Sequence, residues 1–162
     1  MTTDLSKYDA SQLPSADVLG RQRYAIVVAD WNSEITYAMA QGALETFLKH
    51  GVQVDNVDIL HVPGAVELTY GAARIMKEER IDAVIVIGCV IQGETRHFDF
   101  ISQAVADGIM KVGLDSSKPV IFSVLTCNTM EQAEDRAGGK HGNKGVEGAI
   151  TAMKMLNLID EL

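Results

Sequence analysis

From residue 21 onward the chain alternates between two hydrophobic periods. Residues 23–30 (RYAIVVAD) form a short apolar run rich in β-branched side chains, the pattern of a strand buried on both faces. Asn32 and Ser33 then offer N-caps to a helix whose stripe is Ile35, Met39, Leu44, Phe47 and Leu48, ending at Gly51. Residues 52–60 alternate through Val52, Val54, Val57 and Ile59 and predict a second strand. After Pro63 and Gly64 the pattern predicts a helix over 65–79, and residues 81–91 (IDAVIVIGCVI) make the clearest buried strand of the chain. A helix over 98–112 follows, with Phe98, Ile101, Val105, Ile109 and Val112 along one side. The fourth strand is 119–127, followed by a short helix over 130–136 and a glycine-rich loop. The last helix turns Val146, Ile150, Met153 and Leu156 inward.

The order β-α-β-α-β-α-β-α-α predicts an α/β protein. Its expected form is a three-layer α/β/α sandwich around a four-stranded parallel sheet, with right-handed crossovers. Residues 1–20 are polar, aperiodic and broken by Pro14, so they read as an N-terminal arm ahead of one domain over 21–162. In such sheets ligands bind beyond the carboxyl ends of the strands. The turns to inspect are therefore 30–33, 61–67, 88–97 and 126–130.

Composition narrows the function classes. A chain of 162 residues fits one domain able to bury a core without disulfides or a metal. The unbroken apolar runs, such as residues 83–87, are far short of the ~18 residues of a membrane span, and nothing resembles a signal peptide, so a cytoplasmic location without a membrane partner is expected. Cys89 and Cys127 both fall in strand-like runs and read as buried thiols. The formal charge of −8 argues against a nucleic-acid partner but leaves room for a small anion bound by a local cluster of cations and amides.

That cluster has two candidate parts. In Gln92-Gly93-Glu94-Thr95-Arg96-His97, Gly93 permits close backbone approach, and the amides of Glu94 and Thr95 stand at a helix start, where anions bind. Thr95 could equally be only an N-cap. His97 is a candidate proton shuttle, although a single histidine at a helix start is commonly structural. In EDRAGGKHGNKG (134–145), Arg136 can grip a phosphate bidentately while Lys140 and Lys144 add positive potential. The alternative there is a solvated loop. The segment is not a Walker A loop, and the chain has no G-x-G-x-x-G.

The only tryptophan, Trp31, follows the first strand and could stack on a planar ring beside Asn32. Glu67 lies in the first turn of a helix, either complementing its dipole or accepting from ligand hydroxyls. Phe122 sits within the fourth strand and reads most simply as core. His50, His61 and His141 have no metal-ligand spacing, and no metal site is expected.

The segments VPGAVELTYGA (62–72), GCVIQGETRHFDF (88–100) and EDRAGGKHGNKG (134–145) together closely resemble the lumazine synthase family over about residues 22–159. The resemblance implies a flavodoxin-like strand order. It also implies condensation of 5-amino-6-(D-ribitylamino)uracil with 3,4-dihydroxy-2-butanone 4-phosphate to 6,7-dimethyl-8-ribityllumazine, phosphate and water, without metal or organic cofactor. On this likeness Trp31, with Asn32 beside it, takes the pyrimidine-stacking position. Ala65, Val66 and Glu67 match the segment holding the pyrimidine and ribityl chain. Cys89, Val90 and Ile91 match the strand end that reads the uracil edge. Glu94 and Thr95 match the phosphate loop, His97 the proton-transfer residue, Arg136 the phosphate-binding arginine, and Lys144 a further substrate-binding position. Phe122 matches a phenylalanine that reaches the site from an adjacent subunit, as does the counterpart of Arg136.

Trp31 stands where many members have Phe, which keeps the π face. Glu94 stands where a small residue is frequent, so its side chain is expected to point away from phosphate. The family likeness further implies a homo-oligomer, a pentamer and in some members a 60-subunit shell, with sites at subunit interfaces. The loop 138–145 carries no insertion that would forbid a shell, whereas Pro14 could hinder strand pairing by the arm. Two other readings share this architecture: a flavodoxin-like domain that holds FMN without catalysis, and a shell protein that only carries riboflavin or lumazine. The first lacks its Ser/Thr-rich phosphate loop here, where the chain has Asp30-Trp31-Asn32.

Overall fold

A computed structural model describes residue 10 and residues 13–160. Its elements are α1 (Ala16–Leu19), β1 (Tyr24–Ala29), α2 (Ser33–Lys49), a 3₁₀ turn (Val54–Asn56), β2 (Val57–Val62), α3 (Glu67–Ile75) and β3 (Ala83–Ile91). They continue with α4 (His97–Ser116), β4 (Val120–Cys127), α5 (Met130–Glu134), β5 (Ala137–Gly139), β6 (Gly142–Asn143) and α6 (Lys144–Asp160).

Strands β1 to β4 form one parallel sheet in the order β2-β1-β3-β4, the expected flavodoxin-like arrangement. The chain steps from β1 to one side, then crosses back over it to β3, so the order reverses between β1 and β3. Their carboxyl ends flank the crevice where such folds bind ligands. Register fixes the relative heights: Val28 pairs with Ile87, Ile87 with Ser123, and Ala29 with Val62.

The two periodicities explain the layering. Along β1, Tyr24, Ile26 and Val28 pack into a cluster with Ile35, Met39 and Phe47 of α2 and with Ala149, Ile150 and Met153 of α6. The intervening Ala25, Val27 and Ala29 pack on the opposite face with Leu68 and Ala72 of α3 and Val105 and Ile109 of α4. Every residue of β1 is buried, as its unbroken apolar run requires. The edge strands are less covered: Ile59 of β2 is 46% exposed and Phe122 of β4 is 36% exposed. Among the described residues no helix is long and apolar enough to cross a membrane.

Several boundaries differ from the sequence pattern for local reasons. β2 begins at Val57, because residues 54–56 form a 3₁₀ turn and Val52 joins the core cluster from the loop after α2. α3 is shorter than residues 65–79, and α4 runs beyond Val112 to Ser116. Part of the stretch read as an arm lies outside the described residues. Its described part carries the turn α1, and Leu19 is buried against the α2 and α6 side of the core. The glycine-rich segment is not an open loop: residues 137–143 fold into the small antiparallel ladder of β5 and β6.

Candidate active site

The turns after β1 and β2 are held together beyond the sheet. The Asp30 amide donates to the Val62 carbonyl at 2.8 Å, and the Trp31 amide donates to the Pro63 carbonyl at 3.1 Å. The ladder thus continues past the strands and carries Trp31 to the mouth of the sheet, where it is 73% exposed. An exposed indole at a strand's carboxyl end is a free stacking surface. The neighbouring turn supplies the reason for Gly64: a Cβ there would lie 3.0 Å from Oε2 of Glu67 and 3.4 Å from Cε3 of Trp31. The carboxylate and the indole therefore face each other across a glycine. Ala65 and Val66 complete this turn, and Val66 is 46% exposed. The Glu67 carboxylate has no partner among the described residues and is open to a ligand.

Asn32 departs from the capping role that its position suggests. It adopts the left-handed conformation (φ 58°, ψ 45°), and its side chain makes no cap hydrogen bond. Its carbonyl accepts from Ile35 and Thr36 to begin α2, while Nδ2 donates to the Cys89 carbonyl at 2.9 Å. This bond spans the crevice between β1 and β3. Cys89 is buried, whereas Val90 and Ile91 are half-buried, so the last backbone groups of β3 border the opening. Burial pushes the Cys89 thiol up to about 12, which keeps it protonated and unreactive.

The third turn is open. A Cβ on Gly93 would meet nothing within 4 Å, and Glu94, Thr95 and His97 are all exposed. The Thr95 hydroxyl accepts from the His97 amide at 3.3 Å, a contact just ahead of α4, whose N-cap is Arg96. The amides of Glu94 and Thr95 remain at the start of a 20-residue helix, on its positive end. The His97 imidazole has no hydrogen-bond partner among the described residues.

The cations of the fourth region separate into two kinds. Lys140 is paired with Asp135 at 2.7 Å, and Lys144 is paired with Glu147. Arg136 has no carboxylate partner among the described residues; its Nη1 donates to the Gln132 carbonyl at 2.9 Å. Its charge is therefore left for an anion. The charge is also felt at Cys127, where it pulls the thiol down against the larger effect of burial. The Arg136 carbonyl accepts from the Lys144 amide at 2.8 Å, so the β5–β6 ladder holds its backbone.

Phe122 does not join these residues. It pairs in register with Val86, below the level of the turns, and lines a hollow of about 360 Å³ with Ser123, Lys144, Glu147 and Met155. Trp31 stands about four residues higher and two strands away. At roughly 3.3 Å per residue and 4.8 Å per strand the separation is about 16 Å, beyond contact within one chain. Among the described residues, no group of three or more His, Cys, Asp or Glu side chains is placed to hold a metal ion.

Two features were not visible as functional in the sequence. Asn143, within the run of cations and glycines, is the keystone of that segment. Its Nδ2 donates to the carbonyls of Ala38 and Ala137, and its Oδ1 accepts from the amides of Gly145 and Val146. Gly145 follows from the same packing, because a Cβ there would lie 1.9 Å from the Met39 carbonyl oxygen. The second feature is a polar trio at the exit of β1: the Asp30 carboxylate with Tyr37 and His61. Asp30 and Tyr37 are seven residues apart and His61 lies 31 residues from Asp30, and the three form no motif.

The sequence profile described as 6,7-dimethyl-8-ribityllumazine synthase matches residues 21–160. The chain is 52% identical over 155 residues to the protein of that name from Porphyromonas gingivalis, covering 96% of this chain and 94% of the relative. It is 54% identical over 153 residues to that of Cytophaga hutchinsonii, covering 94% of each. It is 50% identical over 137 residues to that of Bacteroides fragilis, covering 85% of this chain and 96% of the relative. An exposed indole and an open helix start at the mouth of a parallel sheet, with an arginine that has no carboxylate partner among the described residues, thus coincide with a match along nearly the whole chain, and the chain belongs to the 6,7-dimethyl-8-ribityllumazine synthase family.

Proposed function

We propose that the chain condenses 5-amino-6-(D-ribitylamino)uracil with 3,4-dihydroxy-2-butanone 4-phosphate to give 6,7-dimethyl-8-ribityllumazine, phosphate and water, in the cytoplasm. The observation that carries this reading is the pairing of an exposed indole with an unpartnered carboxylate across Gly64. A flat pyrimidine bearing a polyhydroxylated chain needs those two surfaces side by side.

In this reading Trp31 stacks on the pyrimidine. Ala65, Val66 and Glu67 hold it and the ribityl chain, with Glu67 accepting from hydroxyls. The backbone of Cys89, Val90 and Ile91 reads the uracil edge, and Asn32 fixes that edge relative to the indole. The amides of Glu94 and Thr95 and the unpaired Arg136 receive the phosphate, the Glu94 side chain pointing away. Lys144 lies near the ligand beside Phe122.

The 5-amino nitrogen attacks the ketone and water leaves. Loss of a proton from carbon then expels phosphate with the C–O bonding pair, and the ribitylamino nitrogen closes the ring with loss of water. His97 accepts and returns protons in these steps, an effect worth about 10²–10⁴-fold. Holding the two substrates in register removes a larger part of the barrier, about 7–11 kcal/mol. No resident cofactor is required by this sequence of steps.

Phe122 and Arg136 serve the site of an adjacent subunit in a homo-oligomer, a pentamer that can be built into a 60-subunit shell. The separation of about 16 Å between Phe122 and Trp31 in one chain, from strand spacing, supports a site completed by a neighbour.

The test is an absorbance assay for lumazine formation from the two substrates. Formation of the product is expected. Protein that carries tightly held FMN and forms no lumazine would instead favour a flavin-binding domain.

A further inference from the structure

The Asp30 carboxylate is held from two other elements at once. On one Oδ1 atom it accepts from the Tyr37 hydroxyl of α2 at 2.8 Å and meets Nδ1 of His61 of β2 at 2.8 Å. The two rings meet edge to face, with centroids 5.3 Å apart. Asp30 directly precedes Trp31, and the amides of both residues are already bound to the β2–α3 turn. The trio thus adds a side-chain tie to the backbone bonds that hold the segment carrying the indole.

Stability does not account for it. The His61 and Asp30 side chains are 50% and 45% exposed, and pairs of that kind contribute little to folding. An exposed trio at this point acts on local orientation. An indole that is 73% exposed has few packing contacts to define its rotamer, so its pose depends on the backbone beneath it.

We propose that Asp30, Tyr37 and His61 are positioning residues that set the pose of the Trp31 platform, and through it the affinity for the planar pyrimidine substrate. This rests on the reading of Trp31 as the stacking surface. Glu67 makes no hydrogen bond to the trio, so removing the trio leaves the ribityl contacts in place. The phosphate contacts at Glu94, Thr95 and Arg136 also stay intact. The expected effect is confined to one substrate.

The test uses the full chain in its assembled form, with Asp30→Ala, Tyr37→Phe and His61→Ala made singly and Asp30→Asn as the conservative variant. Trp31 is the chain's only tryptophan, so its fluorescence anisotropy decay reports this one side chain. In Asp30→Ala the fast local component is expected to grow. The KM for 5-amino-6-(D-ribitylamino)uracil should rise about fivefold to tenfold, the effect of losing one or two hydrogen bonds. The KM for the phosphate substrate and the melting temperature should stay near wild type. Asp30→Asn keeps an acceptor oxygen for Tyr37 and should recover part of the loss.

Unchanged anisotropy with both KM values unchanged would overturn the proposal. So would an equal rise in both KM values accompanied by a lower melting temperature, the mark of a merely structural trio. If the wild-type protein forms no lumazine, the proposed reaction fails. The anisotropy of the unliganded variants still decides whether the trio holds the indole.

Discussion

Asn32 and Cys89 are joined by a hydrogen bond of 2.9 Å that crosses the sheet's switch point, from a side-chain amide at the exit of β1 to a backbone carbonyl near the end of β3. The bond ties the turn that presents the indole to the strand end that borders the proposed pyrimidine site, and so links the two walls of the crevice. Asn32 can serve this way because it occupies the left-handed region at φ 58°, which turns its side chain across the crevice and away from the start of α2.

Substituting Asn32 should therefore cost stability in two separable parts. Asn32→Ala loses the bond, about 1 kcal/mol, and strains a left-handed position by roughly 1–2 kcal/mol. Asn32→Gly relieves the backbone strain and loses chiefly the bond. Denaturant unfolding at one fixed protein concentration should rank the variants wild type, Gly, Ala. Equal loss in both would show that the left-handed conformation carries no cost there.

His97 and Arg136 should fail in different ways. His97→Ala is expected to lower turnover by about 10²–10⁴-fold with modest change in either KM. Arg136→Ala is expected chiefly to raise the KM for the phosphate substrate, because its guanidinium has no carboxylate partner among the described residues and is left for the anion. If each site draws these two residues from adjacent subunits, co-expressing the two variants restores some sites. Random mixing in a cyclic assembly leaves about one quarter of the sites with both residues intact. Steady-state assays of the mixed assemblies measure that recovery, and none appears if both residues act within one chain.

Asn143 should behave as a supporting residue of Arg136. Removing its side chain frees the amides of Gly145 and Val146 and the carbonyls of Ala38 and Ala137 from their shared partner. Asn143→Ala is expected to destabilise the protein by about 1–3 kcal/mol, the cost of unsatisfied groups in a half-buried position. It should also raise the KM for the phosphate substrate in the same direction as Arg136→Ala, since Lys144 next to it holds the Arg136 carbonyl. Thermal unfolding and the two KM values together check this. A stability loss with both KM values unchanged would separate the loop from the phosphate site.

The fold was legible because β1 and β3 are buried on both faces and must read as unbroken apolar runs, while the helices between them keep a 3.6-residue stripe. Trp31 was legible as a site candidate because a large aromatic at a polar turn departs from what that position needs structurally, whereas Glu67 and Arg136 each had a structural alternative and were singled out by the family likeness. Asn143 was not, since its role depends on carbonyls of α2 more than a hundred residues away (Asn143 to Ala38, a separation of 105). In the Asp30, Tyr37 and His61 trio it was His61, on another strand and 31 residues from Asp30, that the sequence did not connect. Asn32 was misread as a side-chain cap: sequence supplies the residue type at the helix start but not the φ angle that turns the amide toward Cys89.

The two thiols give a prediction in which burial and register act together. Cys89 pairs with Leu125 and Cys127 with Ile91, so the cysteines lie diagonally on adjacent strands. One strand across and two residues along put their Cα atoms about 8 Å apart, beyond the roughly 7 Å limit for a disulfide. Both are free and buried, and burial raises both thiols, Cys89 to about 12 from 9.0. A group raised in this way stabilises the fold fully below pH 9 and loses that contribution as pH climbs toward the folded value. The native protein should accordingly resist a disulfide reagent at pH 8, form no internal disulfide under mild oxidation, and yield two reactive thiols once unfolded. Denaturant titrations above pH 9 should show stability falling with pH, and Cys89→Ala should flatten that fall. A native protein that titrates quickly at pH 8 would mean that the carboxyl end of β3 opens far more often than its burial implies, and the crevice edge beside Asn32 would then be a moving one.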